Sequence, residues 1–199
     1  MPVKITIADY GVGNLHSIRK ALENCGAKVS IATDLNLLLD AECIIFPGVG
    51  AFSRTMERLF SIRDEIVRRL SEGIPCLGIC IGMQILFEGS EEGSRPGLGF
   101  MNGRVIRLRA NKIPHMGWNT VASEDPILHG TGSNFFYFAH SYRAEPREGI
   151  TVGRTHYYEE FPSIVRKVNT YGTQFHPEKS STHGLKFLSN FVEFAEGCL

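Results

Sequence analysis

One short stretch constrains the fold more than any other part of the chain: two apolar runs joined by a cysteine that has a glycine two residues away on each side. The run at residues 74–79 has the length and composition of a buried strand, and residues 81–88 have those of the first turns of a helix. Gly78, Cys80 and Gly82 then match the cysteine form of a Gly-x-nucleophile-x-Gly elbow. The sequence therefore predicts a sharp strand-to-helix turn with Cys80 at its apex.

Such an elbow gives a cysteine the surroundings of a nucleophile. The turn is crowded by neighbouring chain, so a β-carbon at Gly78 or Gly82 would collide. Cys80 would begin the helix, where the positive end of the helix dipole favours a thiolate. The amide of Ile81 would point toward a developing oxyanion. The alternative is a small buried cysteine in an ordinary connection, so the chemical interpretation needs a partner base.

Composition narrows the classes of function. The 199 residues suffice for one domain, residues 1–199, with a substantial core. Lys plus Arg and Asp plus Glu both number 21 with no long block of like charge, which disfavours nucleic acid as a partner. The five scattered cysteines suit a reducing compartment better than a disulfide framework. No secretory signal or membrane-spanning run is recognisable, so we expect a cytoplasmic protein that does not bind membranes.

Strand and helix signals alternate through the first half of the chain and then change character. Strands are predicted at residues 3–8, 28–32, 42–46 and 74–79, with helices at 15–25 and 51–71, the latter broken near Ser61. After Glu92 the predicted elements are strands at residues 104–108, 118–122, 134–142, 151–158, 163–168 and 171–175, and a closing helix at 185–195. The predicted fold class is α/β: a mostly parallel, doubly wound sheet with a nucleophile elbow, plus antiparallel strands in the second half.

A thiolate nucleophile needs a base, and the base needs an orienting group. Of the seven histidines, His176 stands at the end of a predicted strand with Glu178 two residues later. If the extended geometry continues through Pro177, period-two alternation puts both side chains on one side. Glu178 could then accept from one ring nitrogen while the other faces Cys80. A lone histidine at a strand end more often caps or faces solvent, but an elbow and this pair together favour catalysis.

Two glycine-containing loops also follow predicted strands. The loop Pro-Gly-Val-Gly at residues 47–50 should lie beside the elbow, at the carboxyl edge where doubly wound sheets bind ligands. Glycines there let backbone amides approach a substrate, although an ordinary β-α loop is equally consistent. Gly11 and Gly13 suggest a dinucleotide fingerprint, but His16 occupies the position of its third glycine. That second interpretation is therefore disfavoured.

Together these segments resemble a known family, the class I, triad-type glutamine amidotransferases. Residues 47–50, 78–84 and 176–178 match its three signatures in order and approximate spacing. More narrowly, the chain is similar to the glutaminase subunits of imidazole glycerol phosphate synthases. The narrower resemblance rests on the segments at residues 9–15, 114–119 (Pro-His-Met-Gly-Trp-Asn), 138–142 and 176–180. It covers essentially the whole chain, with no departure at a catalytic position.

The resemblance implies a role for each matched residue. Cys80 attacks the side-chain amide of glutamine, His176 transfers the proton to the leaving ammonia, and Glu178 orients the imidazole. The oxyanion would be held by amides of Ile81 and of the segment Gly48, Val49 and Gly50. The amino-acid head of glutamine would be bound by Gln84, Glu92, Ser141 and Tyr142. No cofactor and no metal are implied, and Cys76 and Cys80 lack the second ligand pair of a zinc site.

The resemblance also implies a partner, since nothing in the sequence indicates a site for the acceptor of ammonia. In the similar system the partner is a (β/α)8-barrel cyclase, which forms a heterodimer with the glutaminase. The residues expected on or near the docking face are Asn14, His115, Met116, Trp118 and Lys179. Tryptophan and methionine are enriched at interfaces, although a core position for Trp118 is the alternative.

Three rival hypotheses stay open at this point. One is the glutaminase subunit of another synthase, such as that for pyridoxal phosphate or anthranilate, which residues 114–119 disfavour. Another is a cysteine hydrolase without a partner, but those enzymes usually place their histidine near the elbow, and no histidine lies between Cys80 and His115. The last is a binding module that lost catalysis, which an intact Cys-His-Glu set disfavours.

Overall fold

A computed structural model describes residues 2–11, 15–48 and 50–199. Gly13, Asn14 and Val49, which belong to segments singled out above, lie outside the described residues. In the described ranges the α-helices are α1 (His16–Asn24), α2 (Phe52–Leu59), α3 (Arg63–Ser71), α4 (Ile81–Gln84) and α5 (Ser181–Cys198). The strands are β1 (Lys4–Ala8), β2 (Lys28–Ala32), β3 (Cys43–Phe46), β4 (Cys76–Ile79), β5 (Gly89–Ser90), β6 (Gly93–Pro96), β7 (Gly103–Arg107), β8 (His115–Thr120), β9 (Phe135–His140), β10 (Tyr142–Pro146), β11 (Thr151–Tyr157), β12 (Glu159–Lys167) and β13 (Thr170–Thr173).

The central sheet has seven strands in the order β11-β12-β13-β4-β3-β1-β2. Strands β2, β1, β3, β4 and β13 run parallel to their neighbours, whereas β12 and β11 continue the sheet in antiparallel fashion. The predicted fold class, a mostly parallel sheet extended by antiparallel strands of the second half, is confirmed. The elbow strand β4 lies at the centre of the sheet, between β3 and β13. The carboxyl ends of these three strands therefore meet at one place, where such sheets bind ligands.

The sheet is covered on both faces, which explains the composition of its middle strands. Every residue of β3 and of β4 is buried, as expected for parallel strands between two layers of helices. One apolar core contains the inward faces of α1 and α5, and the other contains those of α2 and α3. The apolar spacing of these helices predicts which face is buried.

The structure confirms the predicted break in one helix and shortens another predicted helix. The segment predicted as a helix with a break near Ser61 is α2 and α3 joined by a 3-10 turn over Phe60–Ile62, so the break is confirmed. The elbow helix, expected over residues 81–88, ends at Gln84. It stops because the carbonyls of residues 85–87 accept hydrogen bonds from the amides at 98, 99 and 101 instead of continuing the helix.

Two smaller sheets complete the second half. One has the order β10-β7-β5-β6, and the other is the antiparallel ribbon β8-β9. The strand expected at residues 118–122 begins earlier, at His115, because the ribbon pairs His115 with His140 across the two strands. The amide of His176 donates to the carbonyl of Tyr137 on β9 at 2.8 Å. This hydrogen bond joins the ribbon to the main sheet at the carboxyl ends of its parallel strands. No helix in the described ranges combines the length and apolarity needed to cross a membrane.

Candidate active site

The elbow has the strained geometry that the glycine spacing predicts. Cys80 has φ 49° and ψ −106°, a conformation that a non-glycine residue adopts only when its surroundings enforce it. A β-carbon at Gly82 would lie 1.9 Å from the carbonyl oxygen of Phe46, and one at Gly78 would lie 2.4 Å from that of Gly82. Both glycines are therefore required by close backbone contacts. Ile81 is the first residue of α4, so its amide has no carbonyl partner within the helix.

Cys80 opens into a cavity of about 250 Å³ at the carboxyl edge of the sheet. Its side chain is only 7% exposed, so the cavity is its route to a substrate. The predicted residues that line the cavity with it are Gly48, Gly50, Ile81, Gln84, Glu92, Ser141 and Tyr142. The cavity is also lined by Pro114, Met116, Ala139 and His140, which the sequence did not indicate as part of this site.

His176 and Glu178 meet as a buried pair. Nδ1 of His176 lies 2.8 Å from Oε1 of Glu178, and the His176 ring is 3% exposed. The expected proximity is present, but the expected reason is wrong. Residues Pro177–Lys179 form a 3-10 turn, so the carboxylate reaches the ring around a turn and not along an extended strand. His176 itself is extended, with φ −103° and ψ 95°, as its position before a proline favours.

The charge state of His176 follows from its neighbours. Burial by itself lowers the pKa of His176, but the nearby Cys80 sulfur and the Glu178 carboxylate raise it to about 10. At neutral pH the imidazolium form is therefore favoured. A proton is thus stored on the ring that faces the sulfur, where a leaving group can take it up.

Gly48 and Gly50 flank a residue outside the described ranges and lie beside the triad residues. A β-carbon at Gly48 would come within 2.7 Å of Cε1 and 3.0 Å of Nδ1 of His176, so glycine is needed for the loop to pack on the imidazole. Gly50 has φ 106°, in the region that favours glycine. Both glycines line the cavity that contains Cys80.

Gln84 and Glu92 are held by defined hydrogen bonds. Nε2 of Gln84 donates to the carbonyl of Tyr142 at 3.0 Å and to Oε1 of Gln174 at 3.1 Å. Both of its N–H groups are thus engaged, which leaves Oε1 as the atom with which Gln84 can accept from a ligand. Oε2 of Glu92 accepts from the amide of Phe52 at 3.2 Å, at the start of α2. Burial raises the pKa of Glu92, and the Phe52 amide opposes that rise.

The residues expected on the docking face separate into two groups. Met116 is 64% exposed and Trp118 is 51% exposed, so the core alternative for Trp118 is excluded, and Lys179 is exposed as well. His115, by contrast, is only 3% exposed, so its side chain lies beneath the exposed part of the expected docking face. Its side chain points to the interior because β8 alternates: Met116 and Trp118 do not share its face.

His115 belongs instead to a buried pair with His140. Nδ1 of His115 lies 3.0 Å from Nε2 of His140, and the His115 ring stacks on Phe138 and Tyr157 at centroid distances of 4.7 and 4.0 Å. Burial lowers the pKa of His115 to about 4. Burial likewise lowers the pKa of His140 to about 3, against the opposing effect of its hydrogen bond to the Tyr142 carbonyl. Both rings are therefore neutral at pH 7.

This pair predicts a loss of stability in mild acid. Because the pKa values of both rings are lowered from 6.5 in the folded chain, the unfolded chain binds more protons than the folded chain below that pH. The stability that the neutral pair contributes is therefore complete above about pH 6.5 and falls as the pH drops toward 4. The slope approaches about 1.4 kcal/mol per pH unit for one such proton. Denaturant unfolding between pH 7 and pH 4.5 measures it. A free energy of unfolding that is constant over this range would contradict the neutral pair.

Within the described part of the chain, no group of three or more His, Cys, Asp or Glu side chains is arranged to bind a metal ion. The cysteines are free thiols, and Cys43 and Cys76 are fully buried.

Comparison with known proteins identifies the family. The sequence model described as glutamine amidotransferase class-I matches residues 6–194. The imidazole glycerol phosphate synthase subunit HisH of Methanocaldococcus jannaschii is 48% identical over 194 residues, which are 95% of this chain and 98% of that protein. The HisH subunit of Acinetobacter baylyi is 45% identical over 202 residues, covering 96% of this chain and 98% of the relative. The chain is a class I glutamine amidotransferase of the HisH family.

Solved structures agree with this amidotransferase at the level of fold. A crystal structure of a glutamine amidotransferase matches with a TM-score of 0.77 at 22% identity, covering 96% of this chain and 98% of that chain. The structure of PurLQS from Thermotoga maritima matches with a TM-score of 0.71 at 20% identity, covering 99% of each chain. Membership of the HisH family disfavours two of the rival hypotheses: the subunit of another synthase, and a cysteine hydrolase that acts without a partner.

Proposed function

We propose that the chain is the glutaminase subunit of an imidazole glycerol phosphate synthase and acts in histidine biosynthesis. It hydrolyses glutamine to glutamate and ammonia and passes the ammonia to a (β/α)8-barrel cyclase bound as a heterodimer. The observation that carries the proposal is the strained Cys80, which faces a cavity and lies close enough to the imidazole held by Glu178 to raise its pKa. A cytoplasmic location is part of the same proposal.

The reaction begins at the Cys80 sulfur. The thiolate attacks the side-chain carbonyl carbon of glutamine and forms a C–S bond, and the carbonyl oxygen becomes an oxyanion. The Ile81 amide and amides of the segment 48–50 would stabilise that charge, which is supported by the positions of Ile81, Gly48 and Gly50 in the lining of the cavity. A single donor of this kind contributes about 10²- to 10³-fold in rate.

His176 then completes both halves of the reaction. Its imidazolium gives a proton to the leaving nitrogen as the C–N bond breaks, so ammonia departs and a thioester with Cys80 remains. Water attacks the thioester, the now neutral imidazole takes a proton from that water, and glutamate leaves. The sum is glutamine plus water giving glutamate plus ammonia.

The amino-acid head of glutamine would lie at the other end of the cavity. Gln84 and Glu92 present acceptors, Oε1 and a carboxylate, that suit the substrate's ammonium group. Ser141 and Tyr142 line the same cavity and are part of the proposed subsite. Fixing the head in this way positions the side-chain amide over Cys80.

The docking face is proposed on β8. Met116 lines the cavity and is also 64% exposed, so a partner bound there would lie next to the site of ammonia release. Trp118 lies on the same strand with 51% of its surface exposed. Exposed tryptophan and methionine are typical of interface centres. Lys179 is also proposed to contact the partner, as is Asn14, which lies outside the described residues.

Mixing the purified chain with the cyclase tests the proposal directly. Release of ammonia from glutamine, measured with and without the cyclase, is expected to require the chain and to rise when the cyclase is present. Ammonia release that ignores the cyclase would indicate a hydrolase that works alone. A Trp118→Ala variant should weaken binding of the cyclase while leaving the elbow intact.

Substitutions in the triad are expected to have unequal effects. His176 both gives and takes a proton, so His176→Asn should lower kcat by about 10⁴-fold. Glu178 orients and charges the ring, so Glu178→Gln should cost about 10²-fold, because removing an orienting residue costs less than removing the base. Steady-state turnover of the two variants checks this. Equal losses would contradict a purely orienting role for Glu178.

A further inference from the structure

A buried glutamine outside the proposed triad contacts the nucleophile. Gln174 follows β13, two residues before His176, and is 0% exposed. Its Nε2 lies 3.6 Å from Sγ of Cys80. We propose that Gln174 is a further catalytic residue, whose side-chain amide donates a hydrogen bond to the Cys80 sulfur and stabilises the sulfur as an anion. This inference rests on the proposed role of Cys80 as the nucleophile.

The orientation of the Gln174 amide follows from its neighbours. The carbonyl of Tyr142 can only accept, so the group of Gln84 that lies 3.0 Å away must be its NH2. The same NH2 donates to Gln174 at 3.1 Å, so the atom of Gln174 on that side is Oε1. Its NH2 must then face Cys80. The reversed amide would place an oxygen against the sulfur anion and two NH2 groups against each other.

The Tyr142 carbonyl that sets this polarity is itself fixed. Nδ1 of His140 donates to it at 2.8 Å, and because His140 is neutral its Nε2 carries no proton. Nε2 therefore accepts from Nδ1 of His115, and Nε2 of His115 accepts from the side-chain amide of Asn119 at 3.2 Å. Each hydrogen bond from Asn119 on β8, through His115 and His140, to the Tyr142 carbonyl thus has a defined donor and acceptor. The side chains of Gln84 and Gln174 connect that carbonyl to the Cys80 sulfur.

The sulfur needs such a donor because a carbonyl lies close to it. The oxygen of Ala139 is 3.9 Å from Sγ of Cys80, near enough to accept from a thiol but repulsive toward a thiolate. A hydrogen bond donated by Gln174 instead favours the thiolate over the thiol, since an anion accepts a hydrogen bond more strongly. Hydrogen bonds to the charged form of a group favour that form. Gln174 therefore offsets the carbonyl at the moment when the nucleophile must be ionised.

The side chain of Gln174 takes no part in the backbone hydrogen bond that holds this residue beside the sheet. The backbone amide of Gln174 donates to the carbonyl of Ser163 at 2.9 Å, which any residue at this position would retain. The side chain instead spans the gap between Gln84 and Cys80. A variant can therefore remove the donor without removing the backbone pairing.

The test measures the ionisation of Cys80 and not turnover. The rate of Cys80 alkylation by iodoacetamide is followed against pH in the full chain, with mass spectrometry of the peptide that contains Cys80. Gln174→Met keeps the approximate volume and removes the donor. Its alkylation profile is expected to shift upward by about one pH unit, so that alkylation is about tenfold slower at a fixed pH below the midpoint.

A matched control separates this effect from a general loss of a buried hydrogen bond. Thr155 is 2% exposed, and its hydroxyl donates to the Thr120 carbonyl at 2.9 Å. Thr155→Val removes that bond at constant volume and should leave the Cys80 profile unchanged. If Gln174→Met does not fold, Gln174→Glu retains an acceptor for Gln84 while presenting an oxygen to the sulfur, and it should give an upward shift as well.

The outcomes distinguish the two proposals. An unchanged midpoint in whichever Gln174 variant folds would overturn the role of Gln174. If Cys80→Ala still hydrolyses glutamine at a native-like rate, the proposed role of Cys80 as the nucleophile fails, whatever the alkylation profiles show. An inactive Cys80→Ala together with an unshifted Gln174 profile would reject Gln174 alone. A shift in the Gln174 variant and none in Thr155→Val supports the inference.

Discussion

Cys80→Ala is expected to abolish glutamine-dependent synthesis by the assembled enzyme while leaving ammonia-dependent synthesis at the native rate. The sulfur is needed only to liberate ammonia, so a partner supplied with free ammonia does not need it. Loss of a covalent nucleophile typically lowers turnover by about 10⁴-fold or more. Alanine keeps the β-carbon, and the hydrogen bonds that join residue 80 to Thr173, Met83 and Gln84 involve its backbone and not the thiol.

Product formation by the complex, measured with glutamine and then with an ammonium salt, checks this expectation. Cys76→Ala is the matched control, because Cys76 lies on the strand that leads into the elbow and is fully buried but does not line the cavity. It should retain glutamine-dependent synthesis in the folded fraction. Native-like glutamine hydrolysis by Cys80→Ala would show that the triad is wrongly assigned.

The second large effect is expected from the partner. The lone chain should be a poor glutaminase, and binding of the cyclase with its ligand should raise turnover by up to about 100-fold. Glycines on both sides of Val49 leave the adjoining peptide planes comparatively free to rotate. We propose that one orientation would aim a carbonyl at the developing oxyanion and that the other would aim an amide at it. A shift from 1:99 to 99:1 between such states requires about 5.5 kcal/mol of differential affinity from the partner.

Turnover of the lone chain, of the binary complex and of the complex with cyclase ligand measures this activation. Gly50→Ala is the informative variant, because φ 106° at this position disfavours a side chain and should bias the loop without touching β8. We expect a smaller activation ratio with nearly unchanged affinity for the cyclase. Gly48→Ala is less informative, because its β-carbon would also press on the His176 ring. Equal turnover in all three states would contradict partner-dependent activation.

The central part of the fold was predictable because it depends on local signals. Fully apolar runs specify β3 and β4, and their burial between helices follows from that composition. Gly78 and Gly82 mark the elbow because their spacing reflects a steric need that the structure displays. The proximity of His176 and Glu178 was likewise predictable, because the two residues are only two positions apart in the sequence.

Other features depend on contacts between distant segments, which no local pattern contains. The elbow helix ends early because residues 98–101 compete for its carbonyls. The segment of His115 was expected on or near the docking face, but no sequence pattern indicated that strand alternation turns its ring inward, toward His140. Gln174 had no signal beyond its nearness to His176. Its contact with Cys80 arises because β13 and β4 are neighbours in the sheet.

A covalent intermediate on Cys80 is the most direct consequence of the proposed mechanism. The complex of chain and cyclase is mixed with glutamine, quenched in acid during turnover, and digested for mass spectrometry. We predict that the peptide containing Cys80 gains the mass of one glutamyl acyl group, and that the gain is absent in Cys80→Ala. Continued release of ammonia with no adduct on Cys80, or with the adduct on another residue, would contradict the assignment of Cys80 as the nucleophile.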